Sequence, residues 1–475
     1  MNVIDKPTRA DRHADRHKAI SDQLAAFALE LTFDTIPEKI RERAKYLMLD
    51  AIGIAYASQG FAFAAATMDA MTSLSTGTSP VIGYGRKLSP RDAALVNGVL
   101  VHGLDYDDTH SPGVIHATAS SLPLALALSD WLKLSGRDFL AAYVAAMETS
   151  TRLASVAKGG FHQVGFHPTG LIGIFGCTLG ASRLLGLSRE QAVMAQGIAL
   201  SMAAGSLEFL EDGAWTKRMH PGWAAASAIT AATLARNGFI GPRAAYEGRF
   251  GLFSSHLGLY MADADLSLAI EHLGASWQIS EVAIKPMPAC HFTHAAADAA
   301  IALSKSVKPA EIASVDVLVP AAVIKTVCEP EENKRAPANS YDAQFSIPYI
   351  VATGLIRGRF TLDELDEEAI ADREVLALAR RVRYAADPAS TFPKHYTGEV
   401  IVTLNDGRQL RHRESINRGA ADRPLTNGEI EAKYFDNACR LLSRRHAEQV
   451  RDAILNVDRG SVSKLADILA QPARS

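Results

Sequence analysis

The sequence has few cysteines and no long apolar run. Its four cysteines are widely separated, and none lies in a CxxC or Cys/His spacing typical of zinc or an iron–sulfur cluster: Cys177, Cys290, Cys328 and Cys439. We therefore expect a reducing, cytoplasmic location without structural disulfides. No apolar run reaches the ~18–20 residues that span a bilayer, so we expect no membrane association.

The N-terminal segment, residues 1–17, lacks the apolar stretch of a secretory signal. It is polar, and it contains Asp5, Asp11 and Asp15, which also argues against an organelle transit peptide. We expect this segment to be a disordered tail.

The chain also lacks an excess of either charge. It has 49 basic and 52 acidic residues, and a net charge of −3 gives no indication of nucleic-acid binding. Apolar residues make up 48% and charged residues 21%, which is typical of a soluble globular enzyme. A chain of 475 residues is too long for one core of usual size, so we expect two domains.

Residues 18–280 have the spacing and the start signals of consecutive helices. The clearest start signals are Pro37 before Glu38, the N-cap Ser89-Pro90-Arg91-Asp92, and the capping box from Ser188 to Gln191. The later runs 192–205 and 222–237 are rich in small residues and apolar nearly all round. We therefore predict a closely packed helical domain over residues 18–280.

The pattern changes near residue 281. Residues 314–319 alternate as a strand does, and residues 399–404 and 409–414 flank the hairpin turn Asn405-Asp406-Gly407-Arg408. Helices are expected between these strands, at about 292–306, 345–357 and 366–383. Residues 281–418 thus indicate a smaller α+β domain.

The last segment, residues 419–475, returns to helical spacing. Its two predicted helices cover about 426–442 and 446–455. We predict a mainly α protein in which both chain ends form one large helical domain and the α+β domain is inserted as a lid.

The densest titratable group is His102-Gly-Leu-Asp105-Tyr-Asp107-Asp108-Thr109-His110, followed by His116. Carboxylates and imidazoles move protons near neutral pH, and their pKa values respond to burial and to nearby charge. If the preceding helix continues, Asp105 and Asp108 share a face and could bind a cation or share a proton. The alternative is that one aspartate caps the next helix and the others are solvated. We predict an active-site wall.

His167, in Gly165-Phe166-His167-Pro168-Thr169-Gly170, precedes a proline and an apolar helical run. A histidine at a helix N-terminus lies where backbone N–H groups and the helix dipole favour anions. The alternative is a histidine that only caps the turn.

A basic turn, Trp215-Thr216-Lys217-Arg218-Met219-His220-Pro221, stands immediately before a buried helix. The helix dipole disfavours cations at this end, so their presence predicts a bound anion such as a substrate carboxylate. A solvated basic turn is the alternative.

The segment Ile284-Lys285-Pro286-Met287-Pro288-Ala289-Cys290-His291-Phe292-Thr293-His294 opens the second domain. Its prolines stiffen the chain and would fix Lys285 at the domain junction, where substrate pockets tend to lie. Cys290, His291 and His294 offer three metal-type ligands, but no fourth ligand is visible, so we predict no metal.

These segments, in this order, resemble the MmgE/PrpD family, which includes dehydratases of 2-methylcitrate, decarboxylases of cis-aconitate and epimerases of iminodisuccinate. The likeness extends from about residue 20 to 455. The matching pieces are VNGVLVHGLDYDDTH (96–110), FHPTGLIG (166–173), WTKRMHPGWAA (215–225), IKPMPACHFTHAAADAA (284–300) and DAQFSIPYIVA (342–352).

The resemblance implies a cleft between the helical domain and the lid, a homodimer, and no cofactor. It implies that the catalytic residues are Asp105, His116, Lys217 and Lys285, and that the substrate-binding residues are Thr109, His167, His220, Cys290 and His291. The chain departs from the family pattern at Ala117, where members often have proline. It also has Ile324 where the decarboxylases have tyrosine, whereas Cys290 follows the dehydratases.

All three family reactions act on a small di- or tricarboxylic acid, and all need cations for the carboxylates and groups that move a proton. We expect Lys217 and Lys285, with His167, to hold the carboxylates. Asp105 and His116 are the expected proton-transfer groups. By prevalence in the family, a hydro-lyase ranks first, with decarboxylation or epimerisation as alternatives.

Two remote alternatives come from other classes. The first is a magnesium-dependent diphosphate enzyme, which needs a second acidic motif; the nearest candidate is Glu208-Phe-Leu-Glu211-Asp212. The second is a non-catalytic scaffold with the family fold.

Overall fold

The computed structural model describes residues 19–472, so the predicted tail of residues 1–17 lies outside the described range. The described chain is mainly helical with a few short strands, which confirms the predicted fold class. It divides into two compact units. Unit 1 contains residues 19–103, 112–280 and 434–472, and unit 2 contains residues 104–111 and 281–433.

Helices dominate the chain from residue 20 to residue 256. They are α1 Ile20–Glu30, α2 Glu38–Ser58, α3 Ala62–Leu74, α4 Pro90–His102, α5 Thr118–Trp131, α6 Gly136–Val156, α7 Gly160–Val164, α8 Pro168–Leu171, α9 Gly173–Leu184, α10 Arg189–Leu200, α11 Phe209–Asp212, α12 Thr216–Arg236 and α13 Leu252–His256. Strands β1 Ser79–Pro80 and β2 Lys87–Leu88 form a small antiparallel pair.

The predicted start signals act as caps. The Ser89 hydroxyl accepts the N–H of Asp92 at 3.3 Å at the start of α4. At the start of α10, Ser188 and Gln191 exchange both bonds of a capping box, at 3.2 and 2.9 Å. These caps satisfy N–H groups that a helix start otherwise leaves without partners.

Helices α4 and α12 pack with their backbones in close contact. A Cβ at Gly98 would lie 2.4 Å from the Gly222 Cα, and a Cβ at Gly222 would lie 2.2 Å from the Leu95 carbonyl oxygen. Glycine therefore permits this crossing, and α4 and α12 carry His102 and Lys217 respectively.

Among the described residues, unit 2 contains six strands, of which four form one sheet. Its strands are β3 Thr109–His110, β4 Val282–Ala283, β5 Ile312–Val319, β6 Val382–Ala386, β7 Gly398–Leu404 and β8 Gln409–Glu414. The order β6-β5-β7-β8 has a parallel β5–β6 pair and antiparallel pairs elsewhere, while β3 and β4 pair separately. Buried valines alternate along β5 and β7, which places one face of the sheet in the core.

Seven helices accompany the sheet: α14 His294–Ser304, α15 Ile324–Val327, α16 Glu331–Arg335, α17 Ser340–Gln344, α18 Ile347–Arg357, α19 Glu367–Ile370 and α20 Arg373–Ala379. The prediction of one helix over 366–383 is wrong. Asp372 caps a new helix by accepting the N–H of Glu374 at 2.8 Å, and residues 382–386 form the edge strand β6.

The described part of the chain, which stops at residue 472, ends with three helices: α21 Asn427–Ala438, α22 Arg444–Leu455 and α23 Val462–Leu469. Unit 2 includes residues 104–111 and 419–433, which the sequence had assigned to the helical domain. The reason for the first difference is that β3 pairs with β4, a contact between residues far apart in sequence.

No single helix among residues 19–472 is both long and apolar enough to cross a membrane. Helices α2 and α3 pass that test only as a pair, and they are bent by 91°.

Replacing Gly98 or Gly222 by alanine tests the close packing of α4 on α12. Because neither backbone can move away cheaply, each substitution is expected to lower the free energy of unfolding by about 1–3 kcal/mol, measured by urea denaturation. Gly428→Ala is the matched control, because Gly428 also lies in a helix and a Cβ there meets nothing within 4 Å. Equal stabilities of the three variants would contradict the packing argument.

Candidate active site

The acidic segment after α4 is not helical. Helix α4 ends at His102, and Asp105 has a left-handed backbone with φ of 49°. The preceding helix does not continue, so Asp105 and Asp108 do not share a helical face. A positive φ is uncommon outside glycine, although aspartate tolerates it better than most residues. Asp105, Asp107 and Asp108 are all buried.

Asp105 forms an ion pair with Lys285 inside unit 2. The Lys285 Nζ lies 3.0 Å from Asp105 Oδ1 and donates a second hydrogen bond to the Asp105 carbonyl oxygen at 2.8 Å. The side chain of Asp105 is 4% exposed and that of Lys285 is 1% exposed. Burial of both charges is tolerated because each charge has the other as its partner.

Pairing between segments distant in sequence brings these two residues together. Strand β3, which contains Thr109, pairs antiparallel with β4, so the chain reaches Lys285 directly after this pairing. The Tyr106 hydroxyl donates to the Pro286 carbonyl at 3.1 Å. Lys433 donates to the Tyr106 carbonyl at 2.8 Å and lies over its ring. The two segments are thus tied at several points.

Cys290, His291 and His294 follow in the same unit and are all buried. The Cys290 N–H donates to the Gln344 carbonyl at 2.9 Å, and the Gln344 side chain donates to the carbonyls of Leu104 and Pro288. Gln344 therefore joins the Cys290 segment to the chain beside Asp105.

Unit 1 holds a second group, which we call the histidine cluster: His102, His116, His167 and His220. The ring centre of His102 lies 4.8 Å from the ring centre of His116 and 5.5 Å from that of His167. The Nδ1 atoms of His167 and His220 are 3.0 Å apart, so one ring donates and the other accepts. All four residues are buried.

Two backbone features position His167. It is the N-cap of α8, with Pro168 at the first helical position, and its N–H donates to the Gly205 carbonyl at 2.9 Å. Gly205 has φ of 144°, a conformation that glycine adopts without strain. The His116 N–H donates to the Thr169 hydroxyl at 3.1 Å, which ties His116 to the same helix.

Lys217 and His220 lie in the first turns of α12, which begins at Thr216 rather than after Pro221. Pro221 lies inside this helix, where it has no N–H to donate to the residue 217 carbonyl, so it did not mark the boundary. Arg218 has a structural role, because its Nε donates to the Gly103 carbonyl at 2.7 Å and its guanidinium lies over Phe63. Lys217 is 7% exposed.

Burial determines the charge of the imidazoles. Desolvation, followed by the fields of His220 and Lys217, holds the pKa of His167 well below its usual value. Desolvation, with the fields of His102 and Lys217, lowers the pKa of His220 to about 4. These two rings are therefore neutral at neutral pH and act as hydrogen-bonding or basic groups rather than as cations.

The magnesium-dependent diphosphate alternative needs a second acidic motif, and its nearest candidate is on the surface. Glu208, Glu211 and Asp212 are exposed on or beside the short helix α11.

Sequence reasoning missed several contacts of these residues. His291 Nε2 accepts from Asn417, 126 residues later, and Lys433 and Gln344 are similarly distant from their partners. Asn417 follows β8 in a stretch with no repeating pattern, so no local signal identifies it. His102 was visible within the acidic segment but was not selected.

Comparison with known proteins assigns the chain to a family. The MmgE/PrpD N-terminal domain matches residues 22–265, and the MmgE/PrpD C-terminal domain matches residues 287–459. Together these matches extend over most of the chain.

Similar proteins include enzymes with two reactions. Cis-aconitate decarboxylase from Homo sapiens is 30% identical over 475 residues, covering 96% of this chain and 95% of the relative. Cis-aconitate decarboxylase from Aspergillus terreus is 26% identical, covering 98% and 99%. The 2-methylcitrate dehydratase of Escherichia coli (strain K12) is 24% identical over 330 residues, covering 66% of each chain. The chain belongs to the MmgE/PrpD family.

Proposed function

We propose that the protein is a cofactor-independent lyase for a small di- or tricarboxylic acid, and that it decarboxylates an unsaturated tricarboxylate of the cis-aconitate type. The observation that carries the proposed substrate class is the buried ion pair of Lys285 and Asp105. An ammonium has three hydrogens to donate. Two of those of Lys285 go to Asp105, and the third remains for a substrate carboxylate.

The site residues have two tasks in this proposal, substrate binding and proton transfer. Lys217 and Lys285, with His167, hold the carboxylates of the substrate, and Thr109, His220, Cys290 and His291 add binding contacts. Asp105 and His116 transfer the proton. Buried donors placed where negative charge develops stabilise a transition state more strongly than donors in water do.

The chemical step needs no redox partner. The bond from carbon to the departing carboxylate breaks, and its electron pair moves into the neighbouring unsaturated carboxylate. Carbon dioxide leaves, and one proton is added to carbon. Lysine contacts with the remaining carboxylates stabilise the charge during this step.

The choice of decarboxylation rests on the relatives. The decarboxylases from Homo sapiens and Aspergillus terreus align with nearly the whole chain, whereas the dehydratase from Escherichia coli aligns with two thirds of it. This likeness supports the proposal of decarboxylation over the hydro-lyase reaction that family prevalence ranked first.

Dehydration is the second candidate. It is favoured by the likeness to the 2-methylcitrate dehydratase and by Cys290, which follows the dehydratase pattern. It would need a base for a carbon-bound proton and an acid for the departing hydroxyl.

We also expect a homodimer and a cytoplasmic location.

A substrate panel in D₂O distinguishes these reactions. Proton NMR of the purified protein with cis-aconitate is expected to show itaconate with one deuterium added to carbon. An alkene from 2-methylcitrate or citrate would instead establish the hydro-lyase. Inversion of an iminodisuccinate stereoisomer would establish an epimerase, and no change in any acid would contradict the proposed substrate class.

Replacing Asp105 by asparagine removes the charge partner of Lys285 with little change in shape. We expect kcat/KM to fall by roughly 10²–10⁴-fold, the usual size of an acid–base contribution, with the fold retained by circular dichroism.

The matched control is Glu148→Gln. Glu148 is also a buried carboxylate paired with a cation, Arg152 at 3.3 Å, but it has no role in the proposed chemistry. This control is expected to lose stability and to keep kcat/KM. Similar losses of activity in both variants would show that Asp105 acts only through folding.

Acid should destabilise the protein through its buried imidazoles. Between pH 6.5 and 4 the unfolded chain binds a proton at residue 220 that the folded chain does not, so the free energy of unfolding falls as pH decreases. From pH 7 to pH 5, His220 should account for about 2 kcal/mol of this loss. His220→Asn should therefore show a smaller loss in urea denaturation at the two pH values. Equal losses would contradict the neutral state of His220.

A further inference from the structure

Unit 2 contains two buried imidazoles beyond the lysine–aspartate pair. His291 and His294 are 4% and 0% exposed, and their rings pack edge to face with centroids 4.9 Å apart. Desolvation, followed by the field of Lys285, lowers the pKa of His291 to about 3, and burial holds the pKa of His294 well below its usual value. Both rings are neutral at neutral pH. A neutral imidazole has one donor and one acceptor nitrogen.

Asn417 determines which nitrogen of His291 carries the proton. The Asn417 Oδ1 accepts the backbone N–H of Tyr396 at 3.0 Å, which fixes the orientation of the amide. The amide nitrogen therefore faces His291 Nε2, at 2.8 Å. Because an amide NH₂ group can only donate, Nε2 must accept and the proton must be on Nδ1.

The same reasoning applies to His294. Its Nε2 lies 3.1 Å from the Ala289 carbonyl oxygen, which can only accept, so Nε2 carries the proton and Nδ1 does not. Among the described residues, neither His291 Nδ1 nor His294 Nδ1 has a hydrogen-bond partner, and both atoms are buried. A buried donor left without a partner is destabilising.

The charged groups that act on His291 are Lys285, Asp105 and Lys433. Lys433 already donates to the Tyr106 carbonyl, and Asp105 already accepts from Lys285. An N–H donor held in the field of Lys285 suits a carboxylate oxygen, because donors that converge on an anion strengthen its binding.

We propose that Asn417 is a positioning residue that holds His291 as its Nδ1–H tautomer, and that this N–H donates to a substrate carboxylate beside Lys285. The first half concerns the free protein alone. The second half rests on the proposed function.

Nitrogen NMR of the full-length protein labelled with ¹⁵N-histidine tests the first half without any substrate. The signal lost in His291→Asn identifies His291. In the wild type we expect its Nε2 to be unprotonated and its Nδ1 to be protonated. In Asn417→Asp a carboxylate replaces the amide donor, so we expect Nε2 to become protonated.

Asn97→Asp is the matched control for that substitution. Asn97 is equally buried and accepts the N–H of Ile82 while donating to the Pro80 carbonyl, both at 3.0 Å. It should lose stability without changing the His291 signals. A protonated Nε2 in the wild type, or an unchanged tautomer in Asn417→Asp, would overturn the positioning role.

Two replacements of His291 test the second half. Asparagine places its amide at the position of Nδ1, whereas glutamine places it near that of Nε2. We expect KM for the acid turned over to be at least tenfold lower in His291→Asn than in His291→Gln, with a smaller difference in kcat. Equal KM values would overturn the ligand contact. If the wild type turns over none of the acids, the proposed function fails while the tautomer result still decides the role of Asn417.

Discussion

The ion pair of Lys285 and Asp105 is the interaction on which the candidate site in unit 2 depends. A buried charge without a partner is strongly unfavourable, and breaking such a pair costs about 3–5 kcal/mol. The pair requires the left-handed backbone at Asp105 and the β3–β4 pairing that brings the two segments together. The contacts of Tyr106 and Gln344 with the Lys285 and Cys290 segments hold that geometry.

Burial leaves Lys285 and Asp105 as a charged pair, but it makes the histidines neutral. His167, His220 and His291 are held neutral by desolvation, so they provide directed hydrogen bonds instead of charge. Partners then determine what each ring offers: His220 faces His167 through Nδ1, and Asn417 occupies Nε2 of His291. In the proposed function, the lysines are the cations that hold the carboxylates, and the neutral histidine rings offer fixed donors and acceptors. Such groups suit a reaction that builds negative charge beside a carboxylate.

The sequence predicted what depends on neighbouring residues and missed what depends on distant ones. The caps at Ser89 and Ser188, the hairpin at Gly407 and the class of the fold are local signals, and the structure has them. The β3–β4 pairing after α4 and the strand β6 were not predicted, because both depend on pairing between segments distant in sequence. Asn417 could not be identified, since its partner is 126 residues away.

We propose that buried lysines hold a polycarboxylate, and calorimetric binding of the unreactive propane-1,2,3-tricarboxylate tests this most directly. We predict binding to the wild type that is at least tenfold weaker in Lys285→Met and in Lys217→Met. Lys325→Met, at an exposed lysine, should bind as the wild type does. No binding to the wild type, or equal binding by all three variants, would contradict the account.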